Sequence, residues 1–282
     1  MLPKNLSFAN RLIAALPAAD RTEFLRQGEL LELPLYAQLA SAGELAVGAW
    51  FPVEGFVSAM VPVAGPEGLA IAQVGHEGML PAALALGLPQ AGFDYRVQMA
   101  GRAFVWRREV FAQCWQDSPR LREVLGRYVH LRLQQASRQS ICAHHHSVSQ
   151  RLVRALLVAR DRMHSTELFL THEVLARMLG VRRESVTQAA SALQWRGLIS
   201  YSRGYLMLLD EAALAALACP CYEVELRAYE QAMSATGLQM LSGAVVADAA
   251  STQGGAPACR TQAASLAAAH SGVSLWPACT LL

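Results

Sequence analysis

Five polar side chains follow one another at helical spacing in the second half of the 282-residue chain: Arg183, Glu184, Thr187, Gln188 and Ser191. On a helix, intervals of three and four residues place side chains on one face. Arginine can donate two hydrogen bonds to guanine O6 and N7, glutamine can pair with adenine, and glutamate can accept from cytosine N4. The pattern predicts a helix that reads base edges in the major groove of DNA.

Two short helices are needed to present this face. Thr171 is a predicted N-cap, and Gly180 ends the first helix where a positive φ is required. The residues predicted to turn inward are Val174, Leu175, Met178 and Leu179 in the first helix and Val186, Ala189, Ala190 and Leu193 in the second. Two short helices joined by a turn that contains Gly are typical of a helix-turn-helix. An ordinary helical hairpin with a solvated polar face is the alternative.

A predicted β-hairpin follows these helices. The strand-like runs Leu198–Tyr201 and Tyr205–Leu209 are separated by Ser202-Arg203-Gly204. A hairpin in this place is the wing of a winged helix, with a basic tip that can reach a phosphate. We therefore expect phosphate contacts from Arg203, from Arg182 and from Thr171 at the start of the first helix.

The charge of the chain is concentrated around these elements. Residues 118–207 carry 14 basic and 5 acidic residues, a net charge of +9, whereas residues 1–117 and 208–282 have net charges of −3 and −4. A basic segment between acidic flanks favours a polyanionic partner, with double-stranded DNA the leading candidate.

The N-terminal part has a different pattern of apolar residues from the helical segments described above. A segment from Leu12 to Leu25 that Pro17 interrupts predicts one or two short helices. Short apolar runs punctuated by Gly and Pro then predict a small antiparallel sandwich or barrel. These runs are Glu29–Leu35, Leu45–Phe51, Gly55–Pro62, Leu69–Val74, Tyr95–Met99 and Ala103–Trp106.

A long helix is predicted from Arg120 to about Ala143, after Ser118 as N-cap and Pro119 at the first helical position. A second helix is predicted over Val148–Met163. The apolar stripe of the long helix needs a partner surface, and its length favours a seam with a second copy of the chain over packing within one chain. The stripe consists of Leu121, Val124, Leu125, Tyr128, Leu131 and Gln135.

The stretch from about Asn10 to Tyr229 resembles the bacterial transcription regulators of the Crp/Fnr family. Three motifs carry the resemblance, in the family's order. They are Leu170-Thr171…Leu179-Gly180-Val181-Arg182-Arg183-Glu184-Ser185-Val186-Thr187 with Gly197-Leu198-Ile199, Trp50-Phe51-Pro52…Gly55…Val57-Ser58 with Gly75-His76-Glu77-Gly78-Met79, and Cys219-Pro220-Cys221-Tyr222.

The resemblance implies an α+β fold. It consists of an N-terminal antiparallel β jelly roll like a cyclic-nucleotide-binding domain (1–117), a dimerisation helix (118–146) and a winged helix-turn-helix (147–233). Residues 234–282, rich in Ala and poor in charge, are predicted to be disordered. The resemblance also implies a homodimer on a two-fold symmetric operator, with RNA polymerase a candidate partner. In the family the pair matched by Arg183 and Glu184 contacts base edges. Gln188 replaces an arginine of the best-known member, so operator preference should differ.

The resemblance places an effector pocket in the roll, and the sequence keeps only part of the family's pattern. Gly75, Glu77, Gly78 and Met79 match the turn that holds a ribose, but no cation occurs in Ala82–Phe93, where an Arg should bind the cyclic phosphate. Asp94 lies near that place, and burying a phosphate beside it would cost several kcal/mol. We expect that cAMP is not the ligand, that Glu77 is a turn residue, and that any small-molecule effector is unidentified. The alternative is a cyclic nucleotide held by Arg96 and Glu77.

The cysteines and histidines suggest no cofactor. None of the six cysteines precedes Cys114, which excludes the family's N-terminal iron–sulfur cluster, and His76 alone is a poor basis for haem binding. Cys142 with His144, His145 and His146 could supply metal ligands but is better interpreted as a helix end. Cys219 and Cys221 lack the two-residue separation of a zinc knuckle, although a thiol switch stays open. No metal site is predicted.

The competing hypothesis is an enzyme or a small-molecule-binding module without a DNA role. No Ser-His-Asp, zinc-ligand or Gly-rich phosphate motif occurs in residues 1–117, so we expect no enzyme. The start of the chain lacks the apolar core of a signal peptide, and no charge-free stretch is apolar enough to span a bilayer. We therefore expect a soluble cytoplasmic protein, with no membrane partner and with reduced thiols.

Overall fold

The computed structural model describes residues 10–63 and 68–234. The tail predicted to be disordered falls, apart from Ser234, outside the described residues. The helices are α1 (Arg11–Ala14), α2 (Ala18–Arg26), a 3-10 helix (Ala82–Leu86), α3 (Arg108–Asp117), α4 (Pro119–His145), α5 (Val148–Met163), α6 (His172–Leu179), α7 (Arg183–Trp195), α8 (Glu211–Leu217) and α9 (Cys221–Met233). The strands are β1 (Glu29–Leu33), β2 (Gln38–Ala40), β3 (Gly48–Val61), β4 (Leu69–Val74), β5 (Asp94–Arg107), β6 (Glu167–Phe169), β7 (Ile199–Ser202) and β8 (Tyr205–Leu208).

The N-terminal strands form an antiparallel sheet in the order β1-β5-β3-β4, with β2 also paired to β5. Two strands are longer than predicted, because β3 and β5 each join two of the predicted runs into one strand. Gly55 has a φ of +75° at a register shift in β3, and a side chain there would collide with the Met99 carbonyl oxygen. Gly55 therefore forms a β-bulge that bends a continuous strand.

Helices α2 and α3 close one end of this sheet with an aromatic cluster. The ring of Trp106 stacks on Phe24 with centroids 4.0 Å apart, and its Nε1 donates to the Phe24 carbonyl oxygen at 2.9 Å. Phe51 and Phe111 are fully buried beside them. Helix α3 was not predicted, and it shows that the roll ends in a helix before α4 begins.

The apolar stripe of α4 packs within its own chain. Leu121, Val124, Leu125 and Tyr128 are buried in one core with the roll, and the Tyr128 hydroxyl donates to the Met79 carbonyl oxygen at 2.9 Å. The prediction that this stripe is a seam with a second copy is wrong, because α4 runs back along the roll and the roll covers it. The start of α4 is as predicted: the Ser118 side chain accepts from the Leu121 N–H at 3.1 Å.

The C-terminal part is a helical unit with a three-stranded antiparallel sheet in the order β6-β8-β7. Its core joins α5, α6 and α7 with the end of the roll, where Phe56 and Met99 are buried in the same cluster. Helix α9 returns along α4, and the Arg127 Nη1 donates to the Ala232 carbonyl oxygen at 3.0 Å. The Tyr229 hydroxyl donates to the Glu77 carbonyl oxygen at 2.6 Å. The winged helix is thus anchored to the roll.

Within residues 10–63 and 68–234, no helix combines the length and the hydropathy that a membrane crossing requires.

Candidate nucleic-acid interface

Helix α7 presents the polar face that the spacing predicts. Its exposed residues include Arg183, Glu184, Thr187, Gln188 and Ser191, while Val186, Ala189, Ala190 and Leu193 are buried. Trp195, 92% exposed at the C-terminal end of the helix, was not singled out from the sequence, where an aromatic residue is usually assigned to the core. The described chain therefore offers one continuous helix surface of hydrogen-bonding side chains.

The first helix of the pair is capped at both ends. The Thr171 hydroxyl oxygen accepts from the Val174 N–H at 3.2 Å, and Gly180 ends α6 with a φ of +63°. Arg151 of α5 donates to the carbonyl oxygen of Leu179. These contacts fix the turn, and Arg182 follows it as the exposed N-cap residue of α7.

His172 links the two helices, a role that the sequence did not reveal. Its Nδ1 lies 3.0 Å from the Thr187 hydroxyl oxygen, and its ring stacks on Tyr201 with centroids 4.2 Å apart. Burial, and then the charge of Arg183, lower the pKa of His172. The Thr187 hydroxyl also donates to the Arg183 carbonyl oxygen at 3.1 Å. Thr187 is thus exposed, but its hydroxyl has partners within the protein.

The wing is a two-residue hairpin. Ser202 pairs with Tyr205, and the residues between them, Arg203 and Gly204, have φ values of +51° and +90°. Two positive φ values are typical of the type I′ turn that connects twisted strands. Arg203 is exposed at the tip although its backbone conformation favours Gly or Asn.

Six of the 14 arginines of the basic segment form two contrasting groups. Arg182, Arg183 and Arg203 are exposed, and the described part of the chain gives them no ion pair. Three others pair with acidic residues at the base of the winged helix: Arg154 with Glu225, Arg160 with Asp161 and Glu211, and Arg162 with Glu77. Only part of the +9 charge is therefore free to meet a polyanion.

The predicted effector residue Glu77 is a buried ion-pair partner. Its Oε1 accepts from the Arg162 Nη2 at 2.7 Å and from the Nε at 2.9 Å, and its Oε2 accepts from the Gly75 N–H at 3.1 Å. Burial alone raises the pKa of Glu77, but the charge and hydrogen bonds of Arg162 outweigh it and lower the pKa to about 2. The interpretation of Glu77 as a turn residue is incomplete, because its carboxylate holds α5 against the roll.

Three of the other predicted pocket residues, Gly78, Met79 and Asp94, also contact other parts of the chain. Gly78 leaves room for Tyr128 where a side chain would collide, and Met79 is fully buried. Asp94 Oδ1 accepts from the Ala42 N–H at 2.9 Å. Arg96 lies in β5, opposite Gln38 and Ser58 on the neighbouring strands.

Comparison with known proteins agrees with this architecture. The profile of the Crp-like helix-turn-helix domain matches residues 150–217. No curated protein sequence matches the chain.

Solved structures extend the similarity to the roll. The c-di-GMP responsive global regulator CLP of Xanthomonas campestris is 19% identical over 69% of this chain and all of its own, with a TM-score of 0.56. FixK2 of Bradyrhizobium japonicum is 14% identical over 68% of this chain and 98% of its own, with a TM-score of 0.57. A CRP/FNR-family transcriptional regulator of Thermus thermophilus is 21% identical over 67% of this chain and 98% of its own, with a TM-score of 0.56. Residues 150–217 therefore match a Crp-like helix-turn-helix domain, and the chain shares its overall fold with these solved structures.

Proposed function

We propose that this protein acts as a homodimer on a two-fold symmetric operator and that it is neither an enzyme nor a cAMP sensor. One observation carries the proposal: the exposed face of α7 bears hydrogen-bonding side chains and arginines that form no ion pair within residues 10–63 and 68–234, on a Crp-like helix-turn-helix. RNA polymerase as a further partner and a cytoplasmic location belong to the same proposal, as expected from the family resemblance and the sequence.

The side chains divide into two roles. Arg183, Glu184, Gln188 and Ser191 read base edges, because they are exposed on the helix that enters the major groove. Thr187 offers its methyl group to a thymine methyl, since its hydroxyl is held by His172 and the Arg183 carbonyl oxygen. Phosphates are contacted by Arg182, by Arg203 on the wing and by the N-terminus of α6 at Thr171.

The dimer forms through a second stripe of α4, not the buried one. Exposed residues recur there at alternating intervals of four and three, the spacing of a coiled-coil seam. They are Gly126, His130, Leu133, Ser137, Ser140 and His144. Leu133 is 64% exposed and Ile141 beside the stripe 58%, so a second copy of the chain would cover apolar surface that one chain leaves in water.

Sedimentation of Leu133→Asp tests this dimer. We expect the variant to be a folded monomer with weakened operator binding, because a charge in the seam is desolvated only in the dimer. Leu86→Asp is the matched control, since Leu86 is 57% exposed on the 3-10 helix of the roll and should leave the dimer intact. A Leu133→Asp variant that stays dimeric would show that this stripe is not the interface.

Selection of bound DNA from a random pool tests the proposal as a whole. A dimer that places one α7 in each of two successive major-groove faces should select two inverted half-sites, with centres roughly 34 Å apart. An asymmetric site would contradict the symmetric dimer, and the absence of any enriched sequence would contradict specific DNA binding.

Calorimetry with cAMP tests the effector part. We expect no binding heat, because Glu77 is occupied by Arg162 and Asp94 lies near the place where the phosphate would be bound. Binding that disappears in Arg96→Ala would overturn this expectation and establish the alternative of a cyclic-nucleotide-responsive regulator.

A further inference from the structure

Three cysteines and one histidine meet between the end of α4 and the start of α9. Their ligand atoms, the Sγ of Cys142, Cys219 and Cys221 and a ring nitrogen of His146, all lie within 4.8 Å of one another. The Cys142 and Cys219 sulfurs are 3.6 Å apart, and the Cys221 sulfur is 3.7 Å from the His146 Nδ1. The two sequence motifs interpreted separately above therefore form one cluster.

We propose that this Cys₃His cluster binds one zinc ion. Zinc prefers four tetrahedral ligands, with Zn–S bonds of about 2.3 Å and Zn–N bonds of about 2.0 Å. Such a tetrahedron places its ligand atoms roughly 3.3–3.8 Å apart, a range that contains both distances given above. A two-iron cluster divides its ligands between two metal atoms and so needs a wider cage. The compactness of the cluster thus selects a single ion.

The surroundings suit the charge of the filled site. Three thiolates and a neutral imidazole around Zn²⁺ carry a net charge of −1. The Arg154 Nη1 donates to the Cys142 sulfur at 3.6 Å and brings the opposite charge. Glu225 holds that guanidinium, with the Arg154 Nη2 donating to its Oε1 at 2.5 Å. Cys221 is also the first residue of α9, where the helix dipole favours negative charge.

Burial gives the site a closed side and an open side. Cys142 and Cys219 are each only 1% exposed, whereas Cys221 and His146 are half-buried. The ion can therefore enter from the side of Cys221 and His146. The neighbouring His144 is exposed and lies outside the cluster, with its Nδ1 2.9 Å from the Ser140 carbonyl oxygen.

A bound ion would fix the junction between the long helix and the DNA-binding helices. His146 is the C-cap residue of α4, and Ser147, the next residue, is the N-cap of α5. The two cysteines from the other side belong to the chain that leads into α9. Zinc would thus tie the end of α4 to α9 across the point where the chain turns toward the winged helix.

Metal analysis of the purified full-length protein is the first test. We expect about one zinc per chain and its loss in His146→Ala, because three remaining ligands do not close a structural site. His145→Ala is the matched control, since the adjacent histidine is exposed and outside the cluster and should leave the zinc content unchanged. Cys219→Ser should also lose zinc, whereas Cys114→Ser, a buried cysteine of the roll, should keep it.

Two further measurements keep the proposal testable if a variant that lacks a zinc ligand fails to fold. Cobalt replacing zinc in the wild-type protein should show the intense visible absorption of a tetrahedral thiolate site. Arg154→Gln should weaken zinc binding by about 10- to 100-fold in competition with a chelator, as expected for a residue that supports a ligand.

Three outcomes would overturn the proposal. They are wild-type protein without metal whose cluster thiols titrate as free, a disulfide between Cys142 and Cys219, and iron with inorganic sulfide in place of zinc. Zinc that persists in both His146→Ala and Cys219→Ser would place the ion elsewhere in the chain and would equally contradict the assignment.

Discussion

The helix-turn-helix and its wing expose arginines, whereas the base of the winged helix holds arginines in ion pairs. Arg182, Arg183 and Arg203 are exposed and form no ion pair among the described residues. Arg154 and Arg162, 17% and 9% exposed in their side chains, each contact a carboxylate of another element. The first group is available to a phosphate or a base, and the second holds the roll, α5 and α9 together.

This difference shows what a local excess of charge can mean. The +9 of residues 118–207 predicts a polyanion partner, but in the structure part of this charge is held in ion pairs within the protein. Mutations in the two groups should therefore give different phenotypes. Loss of Arg154 or Arg162 should lower stability, whereas loss of an exposed arginine should weaken DNA binding.

Loss of the buried ion pair between Arg162 and Glu77 should have the largest effect on stability. Arg162→Ala leaves the buried carboxylate of Glu77 without its partner, which should lower the free energy of unfolding by about 3–5 kcal/mol. Chemical denaturation measures this value. Arg102→Ala removes the more exposed pair with Glu54 and should cost less than about 1 kcal/mol. Equal losses in the two variants would remove the distinction between buried and exposed pairs.

Low pH should weaken the ion pair between Glu77 and Arg162. The pKa of Glu77 in the folded protein, about 2, lies below its ordinary value of 4.5, so the ion pair contributes fully above pH 4.5 and is lost as the pH falls toward 2. The loss amounts to about 3 kcal/mol. In denaturation series over this range, the stability advantage of the wild type over Glu77→Gln should shrink toward pH 2. A constant difference would show that folding does not lower the pKa of Glu77.

Loss of the wing arginine, Arg203, should have the smallest effect, and this effect should be on DNA affinity. Arg203→Asn removes the charge but keeps a residue that tolerates the positive φ of the turn, so the fold should be unaffected. We expect all DNA sequences to bind more weakly by a similar factor, and the slope of log affinity against log salt to decrease by about 1. Fluorescence titrations at several salt concentrations measure both. A loss confined to one operator would instead assign Arg203 to base readout.

The helix-turn-helix was predictable because local interactions determine it. Thr171 caps its own helix, Gly180 takes the positive φ that ends it, and the spacing of buried residues in α7 defines the exposed face without reference to the rest of the chain. Each of these signals lies within one or two helical turns.

The remaining features depend on contacts between distant residues. Glu77 and Arg162 are 85 positions apart, and Cys142 and Cys219 are 77 apart. The α4 stripe has the same sequence pattern whether the roll or a second copy covers it, so periodicity alone could not decide between them. For the same reason, the two cysteine motifs each lacked half of a ligand set until the fold brought them together.

Competitive binding by Arg183→Ala tests the central claim, that α7 reads bases with exposed and unpaired side chains. The selected operator and its single-base variants would be compared by mobility shift for the wild type, Arg183→Ala and Arg203→Asn. We predict that Arg183→Ala loses about 1–3 kcal/mol of operator affinity and its discrimination at one base pair of each half-site. Arg203→Asn should keep that discrimination. Full operator selectivity in Arg183→Ala would contradict the assignment of α7 as the reading helix.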